Sequence, residues 1–202
     1  MSLFSKIFGK KTNKTKANIP NNERGKYLPE IELPIDEKFT INFKANGGKF
    51  LYCETIAEIK ESFALILAEN QWQNKKVFLI NDNLNAFFKR FNLNVSKKTS
   101  ESTFFLSTCE YLIADDGSLL ISSNQIAEEK LKDLPDNFII YATTSQFVKS
   151  ISEGLKGIKQ KNKFSIPTNI TTIKHFNTTE DKNFLTYGSS SKNLYLLLLE
   201  DL

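Results

Sequence analysis

From Pro34 onward the chain alternates between short dense apolar runs and longer stretches with a helical stripe. "KFLYCE", "KKVFLIN", "NFIIYAT" and "NLYLLLLE" have the length and branched or aromatic content of strands. "LYLLLL" is apolar at every position, as in a strand buried on both faces of a sheet. A further strand is expected near "NITTIKH". Between the strands, "TIAE" carries a T-x-x-E capping box, Thr55 to Glu58, in which each side chain satisfies an orphan backbone N–H at a helix start. Ile56, Ile59, Phe63 and Leu67 then place one apolar stripe on that helix. "DNLNAFFKRFNL" predicts a second helix capped at Asn81 or Asp82, and "TTSQFVKSISEGLKGIKQK" a third that starts at the T-x-x-Q pair Thr143 and Gln146. "IDEKFTINFKANGG" reads as a helix stopped by Gly47 and Gly48, although "FTINF" alternates as a strand would.

Strands separated by helices imply an α/β fold: a mostly parallel sheet covered on both sides. "YLIADDGSLLIS" breaks the rhythm. Two apolar runs flank Asp116–Gly117, which predicts an antiparallel β-hairpin inserted in that fold. No G-x-G-x-x-G or phosphate-loop motif is present.

Residues 1–30 differ from the rest. Leu3, Phe4, Ile7 and Phe8 fall at helical spacing, and "KKTNKTKANIPNNERGK" then offers little to bury. The sequence therefore divides into a basic, disordered tail, 1–30, and an α/β domain, 31–202. The tail is read as either a frayed terminus that folds back on its own domain or a weak membrane-surface or partner-docking helix. Charge sharpens this division. The net charge is +4, but residues 1–26 hold seven basic side chains against Glu23 alone, +6, which leaves −2 over the remainder. A domain with that balance lacks the basic face needed to neutralise phosphates, so nucleic acid is not an expected partner. No signal-peptide pattern or span of membrane length is apparent, and a cytoplasmic protein is expected.

Cys53 and Cys109 belong to no spaced cluster, so this chain is expected to bind no zinc or iron–sulfur centre of its own; two free thiols in a reducing compartment are expected. His175 is the only histidine, and any histidine-based mechanism would have to pass through it. Two polar segments could carry chemistry. In "ADDGS", Asp115, Asp116, Gly117 and Ser118 supply carboxylates, a position open to close approach and a hydroxyl; the same residues are those of an ordinary turn. Adjacent carboxylates on an extended backbone diverge, which is poor geometry for sharing a proton. In "YGSSSKNL", Gly188, Ser189, Ser190, Ser191 and Lys192 could present N–H groups, hydroxyls and a cation to an anion, or could form a plain loop.

Taken together these segments resemble the LUD domain found in lactate utilisation protein C (LutC/YkgG-type) proteins. "FKANGGKFLYCETIAEI" resembles its first helix, glycine pair, strand and helix. "STCEYLIADDGSLLISS" resembles its central A-[DE]-T-G-T pattern, "LPDNFIIYATTSQFVKSI" the stretch after it, and "GSSSKNLYLLLLEDL" its closing segment. The resemblance spans roughly residues 35–202. It implies a NagB/RpiA/CoA-transferase-like fold of α/β/α layers and a link to the oxidation of L-lactate to pyruvate, beside iron–sulfur partner subunits. This chain departs from the family at Asp116 and Ser118, which stand where threonines flank the central glycine, and in "NTTEDKNF", which occupies the region of a "GPS.TADIE" segment. "YGSSS" replaces the family's G-x-H-G-P, so serines stand where histidine, glycine and proline would.

The expected function is binding of a small anionic metabolite, or assistance in organic-acid oxidation of the lactate type, without independent catalytic activity. The alternative is a non-catalytic interaction subunit whose ligand site has decayed. A ligand pocket is expected at the carboxyl ends of the parallel strands, with Asp115 to Ser118 and Gly188 to Lys192 as its contacts.

Overall fold

The structure is a computed structural model that describes residues 33–176 and 192–201. The tail expected over 1–30 and the serine loop Gly188–Ser191 lie outside the described residues. The first helix, α1, spans Ile35–Ala45, so the helical reading of "FTINF" holds. Phe39 and Phe43, one turn apart, are fully buried and stack at 5.3 Å between centroids. Burial of two such rings contributes several kcal/mol, about 1.5–3 kcal/mol each. β1 follows at Lys49–Cys53, and α2 at Ile56–Glu69. The Thr55 hydroxyl accepts the Glu58 N–H at 3.2 Å, while Glu58 reaches back to the N–H of Glu54 at 2.9 Å. Ile59, Phe63, Ile66 and Leu67 form the buried stripe of α2; Ile56, the first residue of the helix, is exposed instead.

Next come β2 (Lys76–Phe78), α3 (Asp82–Phe87), β3 (Asn94–Ser96) and β4 (Phe104–Thr108). Asn81 caps α3 by accepting the Leu84 N–H at 3.1 Å. β5 (Tyr111–Ile113) and β6 (Ser118–Ile121) form the antiparallel hairpin expected from "YLIADDGSLLIS". A short helix α4 (Ser123–Ile126) leads to β7 (Asn137–Thr143), then β8 (Phe147–Val148), α5 (Ile151–Lys161), β9 (Thr171–Ile173) and β10 (Asn193–Leu199).

Six strands make a wholly parallel sheet in the order β1-β10-β7-β4-β2-β3. A second sheet of four strands, in the order β8-β5-β6-β9, absorbs the hairpin. Period-two alternation sorts the central strands between two cores. Ile139 of β7, Leu106 of β4 and Leu197 of β10 face α2 and α3; Phe138, Ile140, Phe105 and Leu196 face α1 and the small sheet. α5 covers the outer side of the small sheet through Ile158, against Tyr111, Ile113 and Leu120. The fold is thus α/β with a mostly parallel central sheet flanked by helices, and the inserted hairpin is built into a second sheet on one face. No helix among the described residues is long and apolar enough to cross a membrane.

One expected helix start is corrected. Thr143 and Gln146 do form a reciprocal capping box, but the turn they cap ends after Gln146. Phe147 and Val148 then pair in parallel with Leu112 and Ile113, and α5 begins only at Ile151 under a Ser150 cap. Strand pairing across the small sheet outcompetes continuation of the helix.

Candidate functional site

The hairpin residues named from the sequence cluster against α1. Gly117 has φ +69°, and a Cβ there would fall within 3.0 Å of Asn42 and the Phe43 backbone nitrogen. Its close approach is therefore used by a helix backbone. Asn42 Nδ2 donates to the carbonyls of Ala114 (2.8 Å) and Asp115 (3.2 Å), and Asn46 Nδ2 to that of Asp116 (2.7 Å). Asp115 pairs with Lys38 at 2.5 Å, and Asp116 with Lys174 at 3.5 Å. Ser118 is fully buried, and its hydroxyl donates to Asp116 Oδ1 at 2.6 Å. Asp115 and Asp116 lie in the turn Ala114–Gly117 and not on extended backbone, yet their carboxylates still diverge, to different lysines.

Lys192 is buried too. Its Nζ donates to the Leu134 carbonyl at 2.9 Å and to Asp136 Oδ1 at 3.2 Å. Lys192 directly precedes β10 and bridges Phe176, whose N–H donates to the Asn46 carbonyl at 3.1 Å. Lys192, His175 and the hairpin tip therefore gather around the amino edge of the parallel sheet. The carboxyl ends, where a pocket was expected, are at the other edge.

That carboxyl edge has a feature the chain topology creates. The connection leaving β2 passes to the face that carries α2 and α3; the connection leaving its neighbour β4 passes to the opposite face. Adjacent parallel strands whose exits diverge in this way open a crevice beyond their carboxyl ends, the usual ligand position in open α/β sheets. Thr108, the last residue of β4, is the register partner of Tyr141 in β7, and alternation points both to the α2/α3 face. Both are half-buried. Tyr141 packs on Phe87 of α3 at 5.2 Å between ring centroids. Lys97, just past β3, reaches the Leu79 carbonyl beyond β2 at 3.4 Å and brings a cation to the same end.

The ends of β4 and β7 are tied together by a residue whose role the sequence only half disclosed. Gln146 Oε1 accepts the Thr143 N–H at 2.8 Å, and its Nε2 donates to the carbonyls of Cys109 (2.6 Å) and Glu110 (3.3 Å). One side chain thus closes the turn after β7 and ties it to the exit of β4. From the other side, Asp201 beyond β10 accepts from Thr144 Oγ1, the Ser145 N–H and Ser145 Oγ, each at 2.8 Å. Burial raises the Asp201 carboxyl, but these hydrogen bonds outweigh it and the net shift is downward.

Protonation follows from these surroundings. Burial first, and the Asp201 charge second, push the Tyr141 hydroxyl upward, so it stays a neutral donor at neutral pH. Burial, reinforced by Glu110, pushes the Cys109 thiol far up, so this buried cysteine is not a ready nucleophile. Cys53 is raised mainly by burial, with Ser62 opposing and Glu58 adding to it. The edge can thus present two hydroxyl groups, an aromatic face and a cation. Among the described residues no three His, Cys, Asp or Glu side chains converge as a metal-binding set.

Comparison with known proteins agrees with the architecture. The model of the LUD domain family matches residues 37–199. No curated protein matches the chain. The crystal structure of a DUF162 family protein from Deinococcus radiodurans superposes with a TM-score of 0.56 at 14% identity, covering 83% of this chain and 96% of that one. At that identity the likeness is one of fold. With the family model spanning nearly the whole of the described α/β unit, the chain belongs to the LUD domain family.

Proposed function

We propose that this protein binds a small organic anion of the 2-hydroxy- or 2-oxo-acid class, such as lactate or pyruvate, in the crevice at the carboxyl edge. It does so as an accessory subunit beside iron–sulfur partners that take up the electrons of lactate oxidation. Membership of the LUD domain family, which is associated with lactate utilisation, supports the ligand class. The observation that carries the location is the divergence of the β2 and β4 exits, with Thr108 at the end of β4 and its register partner Tyr141 beside it on β7, one strand further from β2. A carboxylate suits the Lys97 ammonium, and the ligand's own oxygen suits a neutral tyrosyl or threonyl donor. The reading keeps the ligand class expected from the sequence and moves its contacts away from the hairpin, whose polar groups are engaged by α1 and Lys174.

A second reading, an interaction subunit without ligand, is favoured by the serines that replace the family's His-Gly-Pro in "YGSSS". Thermal-shift measurements on the full chain with L-lactate, pyruvate, sugar phosphates and CoA esters separate the two. A ligand at about ten times its Kd stabilises by about 1.4 kcal/mol, a rise of several degrees for a domain of this size. Stabilisation by the hydroxy or oxo acids supports the first reading. An intact fold that no acid stabilises leaves the second.

A further inference from the structure

α5 and the chain after it, to Ile166, carry a cluster of exposed basic and apolar side chains. α5 buries Gly154 and Ile158 on the small sheet and turns its other face outward. From Ile151 to Ile166 the chain carries four exposed lysines against one carboxylate, Glu153; Lys161 lies over the Tyr111 ring at 4.7 Å, and Lys156, Lys159 and Lys163 remain for the outer surface. Glu153 is itself engaged at the start of the helix, where it accepts the Lys149 N–H at 2.8 Å. Residues 27–202 together carry −2, so this segment is a local cationic surface on a weakly acidic body. Apolar side chains stand among the lysines: Phe164 is fully exposed, and Leu155 and Ile166 are about half exposed. Large apolar groups left in water beside a row of cations need a partner that satisfies both.

We propose that the outer face of α5 and the segment through Ile166 is a peripheral docking surface for an anionic lipid bilayer. Charge complementarity selects the partner. Lysines beside an anionic membrane each raise partitioning about fivefold, and their long stems let the ammonium groups reach the headgroups while neighbouring apolar groups sink below them. The face is a helix surface with a projecting ring, not a groove that would seat a peptide. A fully exposed Phe beside lysines is the arrangement of interfacial segments, which bind by shallow burial plus attraction to anionic lipid. Anionic lipid, not bilayer in general, is required, because three apolar side chains alone give little partitioning.

Co-sedimentation of the full chain with vesicles tests this. Phosphatidylcholine vesicles should leave the protein in solution; vesicles with about one-third phosphatidylglycerol should carry it down, and less so as salt shortens the reach of the charges. K156E/K159E should lower partitioning about 25-fold or more, from the fivefold contribution of each lysine. F164S should lower it severalfold with the charge unchanged. All three positions are exposed, so thermal melts should match wild type. Binding of K156E/K159E and F164S equal to wild type would overturn the proposal, and would assign any membrane contact to another basic segment such as residues 1–26. Failure of the wild-type chain to bind anionic vesicles would also overturn it, and would make an acidic protein surface the occupant of the patch.

Discussion

Gly117 and Phe43 are in contact backbone to backbone: a Cβ on Gly117 would fall within 3.0 Å of the Phe43 nitrogen, and 2.8 Å from Asn42 Cβ. The hairpin tip is thus seated on α1, and the glycine's φ of +69° is part of that seating. G117A should cost at least about 2 kcal/mol, combining strain at positive φ with displacement of helix backbone. Calorimetry should show a fall of several degrees in Tm. An unchanged Tm would mean that the two backbones part easily.

Lys192 distinguishes a structural lysine from a ligand-binding one. Its side chain is 1% exposed and donates to the Leu134 carbonyl, whereas its carboxylate partner Asp136 is 84% exposed. K192M should cost about 1–3 kcal/mol, because a buried carbonyl loses its donor, while D136N should cost little. Urea denaturation of the two variants gives the comparison. Equal small effects would free Lys192 for a role in binding.

Both cysteines are buried, with thiols raised above their ordinary value. A raised thiol has less thiolate at a given pH, and thiolate is the reacting form. Native protein at pH 8 should therefore react slowly with iodoacetamide at Cys53 and Cys109, and rapidly at both once unfolded in urea. Fast labelling of Cys109 in the native state would contradict its placement behind Gln146.

Asp201 makes a pH-dependent tie. Its carboxyl is lowered in the folded protein, so its stabilisation is complete above its ordinary value near 4 and is lost as pH falls through the lower folded value. D201N should be less stable than wild type at pH 6 by roughly 1 kcal/mol or less, since the carboxylate is largely solvated. Once pH has fallen below the folded value the two proteins should converge. A constant difference across that range would show that the charge of Asp201 does not matter.

Much of the fold is legible because strand period, capping boxes and the Asp116–Gly117 turn all act locally. The strands around Phe50, Val77, Ile139 and Leu196, the two capped helices and the hairpin follow from the residues themselves. β3 does not, since "NVS" is three residues with no pattern, and it forms only by pairing with β2. β4 is obscured because "FFLST" runs into the hairpin without a turn signal. Thr143 and Gln146 announced a helix and built a turn, because the partners that redirect the chain, Leu112 and Ile113, are remote in sequence. The candidate site is less legible still. Thr108 and Tyr141 are ordinary strand residues until the sheet order sets them side by side on β4 and β7, next to the diverging exits of β2 and β4.

Binding of a small organic anion at the carboxyl edge is tested most directly at Thr108 and Tyr141. Ligand-dependent thermal shifts should be compared for wild type, Y141F, T108V and D116N, with L-lactate and pyruvate. Loss of the shift in Y141F and T108V, with each variant's ligand-free Tm close to wild type and the shift kept in D116N, is the predicted result. A shift kept in Y141F and T108V but lost in D116N would contradict the account and return the ligand to the hairpin.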